Sequence, residues 1–258
     1  MTNRLNFDNK VVVITGGAKG VGRGISEAFL DAGADIAICG RTTPESLPER
    51  AGRRTFFRNI DVRDAEAVSA FVAEVADEFG RIDVLINNAG GTPYADAATA
   101  SPRYSASIVN LNLLAPLYFA QACNAVMQTQ DSGGSIVNIA SVSGTRPSPG
   151  TAAYGAAKAG LLNLTTSLAV EWAPKVRCNS IIGGLIQTEQ SHQHYGDDAG
   201  IAAVSNTIPL GRMAQPRNIA DACLFLASEL AEYISGAALT VHGGGEKPAF
   251  LGAANADT

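Results

Sequence analysis

Three observations predict an α/β chain folded as a single doubly wound domain, about seven parallel strands with helices on both faces. Short runs rich in apolar and β-branched residues recur along the whole length, stretches with helical periodicity separate them, and the first run ends in a cluster of glycines. Strands that alternate with helices pair in parallel through right-handed crossovers.

Taken in order, the strand-like runs cover residues 11–15, 34–39, 55–60, 82–86, 135–140, 176–182 and 238–242. They are apolar almost throughout rather than alternating, as strands buried on both faces should be. Between them, residues 25–30 open the first amphipathic stretch, and Val68, Phe71, Val72 and Val75 fall at helical spacing in a stretch that reaches residue 79. Further helices are expected over residues 105–130, 151–172 and 217–227. No linker, repeat or low-complexity segment divides residues 1–258. Residues 187–206 are polar and without strong periodicity, which predicts a loop serving as a lid, and residues from about 246 onward read as a loosely held tail.

The glycine cluster follows the first strand directly and opens the first helix, with Gly16, Gly20 and Gly22 in the turn. Glycine permits a tight turn and close backbone approach, and the free N–H groups of a helix N-terminus suit a pyrophosphate. A dinucleotide is therefore the expected ligand. The second strand ends in Gly40-Arg41, with no carboxylate to accept from ribose hydroxyls. Arg41 and Lys19 instead supply cations for a 2′-phosphate, so NADP(H) is preferred, with NAD(H) possible.

A second stretch carries the chemistry. Ser141 ends the fifth strand, Tyr154 follows thirteen positions later, and Lys158 lies one helical turn beyond it. A tyrosine titrates near about 10, and a neighbouring ammonium is expected to lower that value toward the working range. Ser143 is a second possible hydroxyl, which the thirteen-residue spacing disfavours.

Composition excludes other classes. The net charge of −5 offers no basic footprint for nucleic acid. Cys39, Cys123, Cys178 and Cys223 are dispersed without a CxxC pair, which predicts buried free thiols in a reducing compartment. The N-terminal MTNRLNFDNK has no apolar signal core, and no run of about 18 apolar residues occurs, so a cytoplasmic protein with no membrane partner is expected. His192 and His194 lack further ligands, so no metal is expected, and they are read with Asp197 and Asp198 as a solvated loop. Trp172 is expected to pack. Arg146, Pro147 and Pro149 are expected to wall the pocket, and Tyr94, Tyr104 and Tyr195 are further pocket candidates on strand-end loops.

With these residues set out, the chain resembles the short-chain dehydrogenase/reductase family along essentially its whole length, in a pattern near the 3-oxoacyl-reductase-like members. Thr15 to Gly22 reads as TGxxxGxG, Asn87-Asn88-Ala89-Gly90 as NNAG, and Asn112 as the helical asparagine. Ser141, Tyr154 and Lys158 match the serine, tyrosine and lysine, and Leu210 to Ser228 match LGRxxxPxxIAxxxxFLAS. The resemblance implies a Rossmann-type fold and hydride transfer between the nicotinamide and a ketone or secondary alcohol. Tyr154 would be the general acid/base, Lys158 would tune it and hold the nicotinamide ribose, Ser141 would hold the substrate oxygen, and Asn112 would anchor a water. For the cofactor, the resemblance implies the glycine turn with Val21, the pair Asp61 and Val62 at the adenine, and Asn88, Ala89 and Gly90 at the riboses. Ile186 and Thr188 would meet the nicotinamide amide. It also implies a homotetramer or dimer and a 3-oxoacyl, lipid-like or steroid-like substrate. The alternatives are an NAD-dependent catabolic alcohol dehydrogenase and a non-catalytic nucleotide-binding regulator. Two positions depart from the pattern: Gly183-Gly184 replaces Pro-Gly, predicting a freer loop, and His242 replaces an aspartate.

Overall fold

A computed structural model describes residues 4–189 and 191–253. Seven strands form one parallel sheet: β1 (Val11–Thr15), β2 (Asp35–Gly40), β3 (Thr55–Asn59), β4 (Val84–Asn87), β5 (Gly134–Ser141), β6 (Val176–Gly183) and β7 (Ala238–Val241). The spatial order is β3-β2-β1-β4-β5-β6-β7, so the chain winds outward from β1 to β3 and then crosses back to β4. This reversal makes the carboxyl ends of β1 and β4 a switch point, the place where such sheets bind ligands.

Successive strand residues face opposite layers. Val11 and Val13 enter one core with Val68, Phe71 and Val75 of α2 (Ala65–Phe79) and Phe119 and Met127 of α4 (Ala115–Met127). Leu168 of α5 (Ala152–Glu171) joins the same core. Val12 and Ile14 enter the other core with Ile25 and Phe29 of α1 (Gly20–Asp31) and Ile219 and Cys223 of α8 (Pro216–Ala227). Both faces are thus covered, which is why the strands read as unbroken apolar runs. Phe71 and Phe119 meet edge-on, centroids 6.1 Å apart, locking α2 to α4. Asp64 caps α2 through the N–H groups of Glu66 and Ala67, and Gly80 ends it in the left-handed conformation.

The strands fall within about two residues of expectation, but the helical region at 105–130 is interrupted. It consists of α3 (Pro102–Val109), a π-turn over Asn110–Leu114, and α4. The buried Asn112 side chain donates to the Ile108 carbonyl at 2.9 Å, the acceptor a regular turn would offer to its own N–H, and Ala115 N–H reaches back to Asn110. By length and composition Pro102–Met127 would suffice to cross a membrane; here its Phe119 and Met127 are fully buried in the core.

The lid segment is not a loop. It folds as α6 (Ser191–Tyr195) and α7 (Asp198–Thr207), capped by Asp197 through Gly200 N–H and seated on a small cluster of Ile201, Ile208 and Met213. The tail is also held: Glu246 pairs with Arg146, Lys247 N–H reaches the Thr207 carbonyl, and α9 spans Ala249–Ala253. The remainder of the expected tail, 254–258, lies outside the described residues. Gly183 ends β6 in register with Ser141 and Val241, Gly184 N–H donates to the Val241 carbonyl at 3.0 Å, and Leu185 and Gln187 bond Ala214, so the turn expected to be freer is held by backbone hydrogen bonds. All four cysteines are buried free thiols, and burial pushes Cys39 up to about 12.

Candidate active site

A cleft of about 530 Å³ opens over the switch point at the carboxyl edge of the sheet. It is built first from the β1–α1 turn. Gly16 and Gly20 have φ of +67° and +51°, and a Cβ on Gly22 would lie 2.1 Å from the Gly16 carbonyl oxygen, so only glycine lets the chain fold back here. Gly16, Lys19, Gly20, Val21 and Gly22 all line the cleft. The β4 turn is stitched to it: Asn88 donates its side-chain amide to the Thr15 carbonyl at 2.9 Å, and Thr15 Oγ1 accepts from the N–H groups of Asn88 and Ala89. Asn88, Ala89 and Gly90 line the cleft beside that stitch.

At one end of the cleft stand Arg41, Asp61 and Val62. Asp61 accepts a two-pronged contact from Arg63, which also reaches Ser107 Oγ at 3.0 Å. The Arg63 guanidinium holds the Asp61 carboxyl below the usual carboxylate range, with Arg41 adding to the effect. Arg63 thus belongs to the site, and no motif announced it.

At the other end stand Ser141, Tyr154 and Lys158. Their placement follows from small residues. The short 3-10 turn Val142–Gly144 lies so close to α5 that a Cβ on Gly144 would meet Ala159 N at 2.8 Å, and one on Gly155 would meet the Ser143 carbonyl at 2.8 Å. This contact brings the first turns of α5 against the end of β5. Ser141 Oγ caps the 3-10 turn through Ser143 N–H at 3.2 Å, and Ser143 does not line the cleft. Lys158 is 3% exposed, and its ammonium donates to the Ile139 carbonyl at 2.7 Å, 5.6 Å from the Tyr154 ring centre.

The electrostatics differ from the simple pair expected. Burial raises the Tyr154 phenol above its ordinary value, and the influence pulling it down is the Ser141 hydroxyl rather than Lys158. Burial also lowers Lys158 to about 8. Two buried groups near one cleft have therefore both been moved against ionisation, by desolvation.

Asn112 stands behind the cleft and does not line it. Its amide donates to the Gly91 carbonyl at 3.0 Å and accepts from Gly91 N–H at 2.9 Å. A Cβ on Gly90 would lie 2.7 Å from Asn112 Oδ1 and 3.3 Å from Lys158 Nζ, so glycine there lets asparagine and lysine close on one point. Beneath them runs a buried chain from Asn87 to Asn138 to Thr165, bonded at 2.9 Å in both links.

On the wall that follows β6 are Ile186, bridged to Ala214, and Thr188, whose N–H donates to Ser191 Oγ at 2.9 Å. Besides Arg63, Glu189 and His194 line the cleft without having been expected. Glu189 Oε1 accepts from Gly20 N–H at 3.1 Å, laying a carboxylate on the N-terminus of α1, and His194 of α6 faces the same cleft. His194 arrives on α6, whereas Glu189 lies in the turn that precedes it. The sequence placed His194 in solvent, and it is exposed; it also faces the cleft because it lies on α6, whose neighbouring Tyr195 packs with the Ile201 cluster.

Other candidates fall elsewhere. Tyr94 is 79% exposed and Tyr195 packs with the Ile201 cluster, whereas Tyr104, bonded to the Pro93 carbonyl, lines a small cavity of about 80 Å³ that Tyr154 also lines; none of the three lines the main cleft. Arg146 lines an adjoining cavity, whereas Pro147 and Pro149 line neither. Trp172 packs against the core as expected. Among the described residues no cluster of three metal-ligating side chains occurs.

Comparison with known proteins agrees with this architecture. A family model described as enoyl-(acyl carrier protein) reductase matches residues 16–246. A 3-oxoacyl-(acyl-carrier-protein) reductase of Chlamydia trachomatis is 36% identical over 245 residues, covering 92% of this chain and 97% of its own. D-threitol dehydrogenase of Mycolicibacterium smegmatis is 38% identical over 244 residues, covering 92% and 93%. The solved structure of Thermoplasma acidophilum aldohexose dehydrogenase superposes with a TM-score of 0.85 at 30% identity, covering 98% of each chain. A seven-stranded doubly wound sheet, the TGxxxGxG turn and the Tyr154–Lys158 helix over one cleft, with matches of this extent, place the chain in the short-chain dehydrogenase/reductase family, as an oxidoreductase acting on CH–OH and C=O groups.

Proposed function

We propose that the cleft binds NADP(H) in preference to NAD(H), and that Tyr154 exchanges a proton with the oxygen of a ketone or secondary alcohol. The carrying observation is that the glycine turn and the Tyr154–Lys158 helix line one continuous cleft. The residues fit a dinucleotide: the carboxylate of Glu189 on Gly20 N–H marks the α1 terminus as a place for anionic oxygen. Lys19 and Arg41 are exposed cations at the same cleft, suited to a 2′-phosphate, while Asp61 and Val62 flank the expected adenine position. When bound, the nicotinamide supplies or accepts the hydride.

The chain's own residues handle the proton. With its value raised, the Tyr154 phenol is protonated at neutral pH and ready to donate as a carbonyl becomes an alkoxide. In the reverse direction it must first lose that proton. Ser141 holds the substrate oxygen beside the phenol. Lys158, charged below about 8, adds a cation next to the developing phenolate. Asn112 acts as a positioning residue, because its amide is engaged with the backbone of Gly91 and Ile108. Ile186 and Thr188 complete the nicotinamide side.

Tyr154→Phe tests the assignment. Turnover should fall by roughly 10²–10⁴-fold, with NADPH affinity by fluorescence titration retained. Retained turnover would overturn it. Arg41→Ala should weaken NADPH binding relative to NADH by about tenfold, the loss of a charged hydrogen bond; an unchanged ratio would remove the 2′-phosphate contact. We further propose a cytoplasmic homotetramer. Buried free thiols suit a reducing compartment, and Leu114 in the π-turn and Val170 in the last turn of α5, 37% and 80% exposed, suit subunit packing. Light scattering that returns a monomer mass would contradict the assembly.

A further inference from the structure

Beyond the cleft, over the ends of β6 and β7, lies a second cavity of about 210 Å³. Gly184 lines both spaces, and Val142, next to Ser141, lines the second, so the two are neighbours at the reacting end. Val142, Leu185 and Ile208 give it an apolar side, and Thr145, Arg146, His242 and Glu246 a polar one. Arg146 Nη2 and Glu246 Oε1 meet at 2.5 Å from segments a hundred residues apart, and His242 stands between the end of β7 and Gly184. Gly184 is what admits the histidine, since a Cβ there would lie 2.7 Å from His242 Cβ.

Size and charge limit the occupant. Sites for drug-sized ligands span about 300–1,000 Å³, so this space suits something smaller. A long acyl chain would have to desolvate the ion pair at its wall without replacing any hydrogen bond. An anionic group drawn to Arg146 would meet the Glu246 carboxylate already there. An uncharged molecule with several hydroxyls meets no such penalty: a hydroxyl accepts from the guanidinium, donates to the carboxylate, and does either with imidazole.

We propose that this cavity is the substrate-side subsite, and that Arg146 and Glu246, with His242, select a small uncharged polyhydroxylated alcohol or carbonyl compound, a sugar or sugar alcohol. The proposal rests on the proton-transfer site at Tyr154 described above. In the oxidative direction Tyr154 would first release its proton to solvent, its phenolate would then accept the proton of the substrate hydroxyl, and a nicotinamide held in the cleft would supply the acceptor for the carbinol hydride.

The test uses the full chain with NADP⁺ or NAD⁺, whichever binds more tightly. The substrates are a panel of sugars and sugar alcohols, cyclohexanol as an alcohol without further hydroxyls, and acetoacetyl thioester with the reduced cofactor. The best polyhydroxylated substrate should exceed both others in kcat/KM. In the Arg146→Met/Glu246→Gln double variant its KM should rise by about tenfold or more, with a much smaller change in kcat, as expected when charged hydrogen bonds to bound substrate are lost. A wild-type preference for cyclohexanol or the thioester overturns the proposal, whatever the variant does. So does a polyol preference that survives in a double variant whose cofactor binding shows it folded. Tyr154→Phe separates the two readings. If it silences every substrate, the site stands even where the subsite fails; if it silences none, the underlying site has failed.

Discussion

The two edges of the sheet bury charge in opposite ways. At the amino edge Asp83 is 6% exposed and fully matched: Lys10 approaches at 3.1 Å, Arg81 at 2.5 Å, and Val11 N–H donates at 3.0 Å. At the carboxyl edge Lys158 is 3% exposed, yet its recorded hydrogen bond is one neutral carbonyl, Ile139 O. Burial is nearly equal, so the difference lies in the partners. A buried charge with opposite charges around it serves stability, whereas one left with dipoles alone has its titration moved into the working range. Tyr154, displaced by burial in the other direction, completes the contrast.

Four expectations would break or sharpen that contrast. Lys158→Met carries the largest effect on activity. Turnover should fall by roughly 10²-fold or more, while the folded state gains about 1–2 kcal/mol in denaturant melts. The sign follows from linkage: the folded value of about 8 lies below the unfolded value, so the folded state is penalised below about 8, and the penalty fades between about 8 and 10 as the unfolded chain also loses its proton. The gain is smaller than that penalty because the Ile139 carbonyl loses its donor. A destabilised Lys158→Met protein would remove the contrast.

Asp83→Asn should do the opposite, lowering stability by about 2 kcal/mol and Tm by roughly 4–8 °C, with kcat unchanged. The loss stays modest because Lys10 and Arg81 are 39% and 36% exposed and can rehydrate. A kcat that tracked the stability loss would show that the amino edge takes part in the chemistry.

The pH dependence comes next. Because Tyr154 is raised, kcat/KM for alcohol oxidation should climb as pH rises above neutrality, while carbonyl reduction holds level before declining at alkaline pH. Stopped-flow profiles in both directions check this, and an oxidation rate that falls from pH 7 upward would contradict the assigned protonation. The smallest effect is expected from Glu189→Gln. Removing a carboxylate from the α1 terminus should tighten dinucleotide binding by about two- to fivefold, less at high salt. Weaker binding in calorimetry would mean that Glu189 supports the cofactor instead of standing where its anion belongs.

Much of this site is legible in the amino-acid sequence alone. Ser141, Tyr154 and Lys158 are close in sequence and joined by one strand end and one helix, so local spacing sufficed to bring them together. The glycines of the β1–α1 turn were legible because a tight turn has few chemical solutions. The strands were legible because burial on both faces leaves an unbroken apolar signature. Residues 187–206 were not. Ile201 and Val204 are the α7 side chains in the cluster that holds it, and their partners Tyr195, Ile208, Met213 and Leu185 come from the residues flanking the helix. His194 reaches the cleft on α6, whose Tyr195 joins that cluster.

By itself, the sequence determined the sheet, the glycine turn and the trio at Ser141, because each depends on neighbours within one or two consecutive elements. Tertiary structure alone decided the rest. Desolvation at the crowded carboxyl edge set which way Tyr154 and Lys158 titrate, and no linear spacing records how much water a fold excludes. Chain reversal brought Arg146 to Glu246 across a hundred residues and placed His242 over Gly184. The side chains to which the chemistry is assigned are local in the chain, while the walls around them are assembled from its two halves.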